Sequence, residues 1–158
     1  MGFNIVLIEP EIPTNTGNIG RLSLASGSTL HLVKPFGFEI NDSRVKRAGL
    51  DYWKHISLFT YDSIEDFFTK NEGARFAFFS SHGTKDYCDI DYQEDLFLIF
   101  GKESKGLPKE LTKKYPDKVY SIPLFSPHIR SLNLANAVSV VVYEGIRNVK
   151  SKLTKPKP

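Results

Sequence analysis

The sequence predicts an α/β protein, a parallel sheet flanked by helices. Two observations carry that prediction. Apolar runs of strand length recur through the 158 residues, and most are continuously apolar rather than alternating, the pattern of strands covered on both faces. Helical stretches fall between them, and such alternation builds parallel sheets.

The strands are expected at 4–8, 30–33, 56–60, 76–80, 96–100 and 119–122. Helices are expected at 18–26, 43–48, 63–71 and 108–115, with a long one over 134–150. Pro10 and Pro13 stop the first strand, and 14–17 turn the chain into the first helix. Asp62 or Ser63 caps the third helix, whose first turn carries Glu65 and Asp66 where the helix dipole favours acid. Pro108 suits a first helical position, and Lys113 and Lys114 close that helix where carbonyls are free. There is no internal repeat and no linker. A single domain over residues 1–150 results, with the purely basic stretch 151–158 as a flexible tail.

With 41% hydrophobic and 25% charged residues, the chain sits in the ordinary globular range. No run of about 18 apolar residues exists to span a membrane, and the N-terminus has no basic segment leading a long apolar core. The expectation is a cytoplasmic protein. The lone Cys88 provides neither an intramolecular disulfide nor a thiolate cluster. Histidines 31, 55, 82 and 128 have no zinc-ligand spacing, so no metal is expected. The net charge of +3 is mild, but the basic residues cluster: Arg44, Lys46 and Arg47; Lys102 and Lys105; Lys113 and Lys114; and the tail. That distribution admits nucleic acid as a partner.

Three loops at strand ends carry the polar chemistry. The first, EPEIPTNTGNIGR, leads into a helix with Arg21, but its spacing is not the dinucleotide fingerprint, and strand two ends in Lys34 and Pro35 where a ribose-binding carboxylate would stand. The second, IFGKESKGLP, places Leu107 where a phosphate-binding loop needs lysine. Read alone it is a tight turn using glycine for backbone freedom. The third, from Ser121 to Asn133, sets hydroxyl, amide and guanidinium groups before the most apolar helix, as a polar or anionic ligand would require. That helix is apolar on nearly every face, Val138 to Val142 above all. A second subunit covering one side, or a buried central position, would account for it.

The ordered set GNIGRLSLASG, LIFGKESKGLP and SIPLFSPHIRSLNLANAVSVVVYE resembles the three motifs of the SPOUT methyltransferases. The resemblance spans about residues 4 to 150. NIVLIEPEIPTNTGNIGR, RAGLDYW and NLANAVSVVVYE are similar to the minimal members that methylate the ribose 2′-hydroxyl at the wobble position 34 of tRNA.

The resemblance implies a SPOUT fold whose C-terminal part forms a deep trefoil knot. It implies S-adenosyl-L-methionine as cofactor, held by Phe79, Gly101, Ile122 and Ser131, with Gly101 letting the chain pass close to the ligand. It implies a homodimer whose two subunits assemble each site, and Arg21 as the catalytic residue. A surface arginine is the plain alternative for Arg21. Guanidinium stays protonated, so a role at the phosphate and developing alkoxide suits it better than general base. Asn15, Ser131 and Asn133 are expected to orient the ribose. Tyr143 is expected to contact the tRNA anticodon loop or to pack in an interface. Cys88, among the acids of DYCDID, would have a raised thiol pKa and no catalytic part. The rival reading is a non-catalytic RNA-binding protein that keeps the SPOUT fold.

Overall fold

The computed structural model of the protein describes residues 2–40 and 43–153. Seven strands form one sheet: β1 (Asn4–Ile8), β2 (Thr29–Val33), β3 (Leu58–Tyr61), β4 (Phe76–Phe79), β5 (Lys85–Asp86), β6 (Phe97–Phe100) and β7 (Val119–Ser121). Their order is β3-β2-β1-β6-β4-β7-β5, and every pairing is parallel. The α/β expectation therefore holds. The two-residue β5 has no signal in the sequence.

Side chains alternate across the sheet and seed two cores. Ile5, Leu7, Leu98 and Phe100 point to one side, where they pack with Ile19 of α1 (Pro13–Ala25) and with Val138, Val141 and Val142 of α5 (Leu134–Leu153). Val6, Ile8, Phe97 and Ile99 point to the other, where they meet Phe67 of α3 (Ile64–Lys70) and Leu111 of α4 (Lys109–Lys114). The remaining helix, α2 (Ser43–Gly49), continues into a 3-10 helix at Leu50–His55.

His31 is an exception to the apolar strand pattern, and its surroundings explain it. Its ring is 4% exposed and stacks between Phe59 and Tyr61. Asn4 Oδ1, 2.9 Å from Nε2, can only accept, so Nε2 carries the proton and Nδ1 accepts from the Tyr61 hydroxyl at 2.9 Å. Burial pushes the His31 pKa down to about 4, so the ring is neutral and structural.

Three sequence expectations need correction. The first helix begins at Pro13, not at 18. Proline is preorganised for a first helical position, and Thr14 to Gly17 continue from it as helix rather than turn. The last helix runs to Leu153, into the expected tail; residues 154–158 lie outside the described residues. That helix is also not apolar all round. Val138, Val141 and Val142 are fully buried in the chain's own core, while Val140 and Tyr143 are 38% and 52% exposed. Asn136 and Arg147 share the exposed stripe.

Candidate active site

The loops following β4, β6 and β7 enclose a cavity of about 830 Å³. It sits at the carboxyl ends of neighbouring parallel strands, where open α/β sheets bind ligands, and its volume suits a small-molecule cofactor. The stacked rings of Phe79 and Phe100, with centroids 4.6 Å apart, lie among its lining. Ile122 and Leu134 add apolar surface, and Ser131, Arg130 and His82 add polar groups. Phe79, Gly101, Ile122 and Ser131 all line this one cavity, and so do Asn15 and Asn133.

Gly101 is constrained differently from the sequence expectation. A Cβ there would collide with the backbone of Gly106 and Leu107. The second loop folds back on itself, with Gly106 N donating to Lys102 O at 2.8 Å and Gly106 at φ +68°. The missing side chain makes room for the loop's own backbone, not for a ligand.

The loop between the two glycines clamps the first loop. Helix α1 has Ile12 at its N-cap, a side chain that cannot accept a hydrogen bond, so its first N–H groups need an acceptor from elsewhere. Glu103 supplies it: its carboxylate accepts from Glu11 N at 2.8 Å and Ile12 N at 3.0 Å. Glu11 returns the contact by accepting from Ser104 N and Oγ at 2.9 and 2.6 Å. Those bonds from Ser104 hold the Glu11 carboxyl below its usual range. Lys102 pairs with Glu9 at 3.2 Å, and Glu9 leaves β1 at φ 52°.

From Glu103 a relay of amides runs into the third loop. Asn15 Nδ2 donates to Glu103 Oε1 at 3.3 Å, and Asn133 Nδ2 donates to Asn15 Oδ1 at 3.1 Å. Asn133 Oδ1 in turn accepts from Asn136 N at 3.3 Å and caps α5. Because a carboxylate only accepts, Glu103 fixes the orientation of both amides. This role of Glu103 is not legible in the loop's own sequence. The signal lies far away, in a helix that starts without a capping residue.

Arg21 and Tyr143 stand apart. Neither lines the cavity. Arg21 lies six positions beyond Asn15 on α1, about 9 Å along the axis and about 120° around it. It is exposed, and its guanidinium carbon is 5.3 Å from the centroid of the Tyr52 ring. Cys88 is exposed, and partial desolvation followed by the Asp86 carboxylate raises its pKa against thiolate formation. Among the described residues no group of His, Cys, Asp and Glu could hold a metal ion, and no helix is long and apolar enough to cross a membrane.

Comparison with known proteins agrees with this architecture. The profile of the SpoU rRNA methylase family matches residues 2–143, which include all seven strands and every cavity residue. The chain belongs to the SpoU methylase family. A tRNA (cytidine(34)-2′-O)-methyltransferase of Saccharophagus degradans is 45% identical over 148 residues, covering 93% of this chain and 96% of that protein. A solved structure described as giving structural insights into the 2-OH methylation of C/U34 on tRNA superposes with a TM-score of 0.91 at 41% identity, covering 95% of this chain and 97% of that one. An AdoMet-bound rRNA methyltransferase of Sinorhizobium meliloti matches with a TM-score of 0.82 at 27% identity, over 93% of this SpoU member and 56% of that chain. The trefoil knot expected in the C-terminal part follows from family membership rather than from the strand order.

Proposed function

We propose that the protein transfers the methyl group of S-adenosylmethionine to the ribose 2′-hydroxyl at position 34 of tRNA, working as a homodimer. The observation that carries this reading is the cavity lined by the ends of β4, β6 and β7, in a chain of which 93% matches 96% of a tRNA (cytidine(34)-2′-O)-methyltransferase. The cavity fits the cofactor. Its volume accommodates a nucleoside with an amino-acid arm, Phe100, Ile122 and Leu134 offer an apolar seat for a base, and loop backbone and Ser131 offer polar partners.

Bound there, the sulfonium supplies an already activated methyl group, so the protein needs only to align an acceptor and stabilise its charge. Asn133 reaches the cavity mouth and would orient the ribose. Asn15, 6% exposed, would act through it. Arg21, permanently cationic, would grip the phosphate beside the target and stabilise the oxygen as it loses its proton.

Two copies are needed because Arg21 is displaced from its own chain's cavity. The cavity of one subunit is completed by the Arg21 face of the other. Leu124, Phe125 and Ile129 of the third loop are 36%, 98% and 53% exposed, and Val140 and Tyr143 of α5 are further exposed apolar side chains, which a second subunit would cover. On this reading Tyr143 belongs to the interface. Val140→Asp, not a change at the buried Val141, is therefore the variant that separates subunits: it sediments as a folded monomer without transferase activity. A fully active Val140→Asp monomer in the ultracentrifuge overturns the shared site. The activity itself is tested by incubating tRNA with protein and S-adenosylmethionine and mapping the modified nucleoside by mass spectrometry. A 2′-O-methyl group at position 34 is expected; cofactor binding without any methylation would favour the non-catalytic RNA-binding alternative.

A further inference from the structure

The segment RAGLDYW, residues 47–53, is used by neither the cavity nor the clamp, yet it is placed with care against α1. At Gly20 of that helix a Cβ would stand 2.8 Å from Trp53 Cζ3 and 2.8 Å from Ile56 Cδ1. The indole therefore rests directly on the helix, which seats the 3-10 helix Leu50–His55 beside it. Tyr52, next to Trp53, comes to lie against Arg21, next to Gly20, with the guanidinium carbon 5.3 Å from the ring centroid.

Three lysines also lie over tyrosine rings, but among the described residues this is the cation–ring contact that holds a planar guanidinium. The Arg21 guanidinium donates no hydrogen bond among the described residues. A cation over a ring face is held through the quadrupole of the ring and not through its N–H groups. Arg21 is thus located without spending any of its five donors.

We propose that Tyr52 is a positioning residue for Arg21: its ring holds the guanidinium in place on α1 with every donor left for the phosphate and ribose oxygens of the RNA. The inference rests on the role proposed for Arg21. A base-stacking role for Tyr52 is disfavoured, because the guanidinium already lies over its ring. The hydroxyl of Tyr52 makes no hydrogen bond among the described residues, so phenylalanine should serve as well.

Single-turnover methyl transfer at saturating cofactor, measured across tRNA concentrations, tests this. Tyr52→Leu should lower the saturating rate about two- to fivefold, the strength of a partly exposed cation–ring contact. The half-saturating tRNA concentration should barely move, and Tyr52→Phe should keep the parental rate. In an Arg21→Ala background, Tyr52→Leu should cost nothing further, since the group it holds is gone. Four results would overturn the proposal: a parental rate for Tyr52→Leu, an equal loss in both backgrounds, a loss in Tyr52→Phe, or an effect confined to half-saturation, which would mark contact with RNA. If Arg21→Ala alone keeps the parental rate, the role of Arg21 fails and this inference with it. If Arg21→Ala is impaired but Tyr52→Leu is not, only the inference fails.

Discussion

The two ends of α1 are built on opposite plans. At the N-terminal end Glu11 N, Ile12 N and the Asn15 amide have protein partners: Glu103 accepts from all three, and Asn133 closes the relay. Two turns later Arg21 has a ring beside it and, among the described residues, no acceptor. A group tied to protein on all sides shapes a site, whereas a cation held by its face alone is prepared for an acceptor from outside. The difference divides one helix into an end that lines the cavity and, on the proposed function, an end that meets RNA.

The largest expected effect comes from the cavity side. Gly101→Val cannot be absorbed by the second loop, because the branched side chain would occupy the backbone position of Gly106 and Leu107. Cofactor binding should be abolished in calorimetry and the thermal midpoint should fall with it; unchanged melting would show that the loop yields and that the glycine is dispensable. Arg21→Ala breaks the other end alone. S-adenosylmethionine affinity should stay parental while transfer slows about a hundred- to a thousandfold, roughly 2.7–4 kcal/mol, as for loss of one preorganised donor at a developing anion. Arg21→Lys should recover little, since a point charge does not reproduce the planar fork. A fall in cofactor affinity in Arg21→Ala would erase the division between the ends. Glu103→Ala is the mildest change. It strands the donors at the start of α1 and should cost about 1–3 kcal/mol in urea unfolding, with some loss of cofactor affinity; an unaffected stability would mean that water caps the helix as well as Glu103 does.

The sequence displays this division unevenly. Strand β1 is legible to the residue at Asn4–Ile8, because Ile5 to Ile8, buried on both faces, are all apolar. The start of α1 is not, since Thr14, Asn15 and Gly17 have turn chemistry and the carboxylate that caps the helix stands about ninety residues away in a different loop. Three of the four cavity residues lie in the ordered motif loops and are found there, but the reason for Gly101 is a contact between two backbones, which no composition reports. The α5 stripe of Asn136, Val140, Tyr143 and Arg147 escapes a reading by hydrophobicity because the valines on its two sides are chemically identical. Only the fold decides that Val141 is buried while Val140 is exposed.

The central claim is that the acceptor is the ribose oxygen at position 34. It is tested most directly with two tRNA transcripts, identical except for 2′-deoxyribose at that nucleotide, each given the protein and methyl-labelled S-adenosylmethionine. The account predicts one methyl group per tRNA on the ribose transcript and none on the deoxy transcript. Label on the deoxy transcript would contradict it.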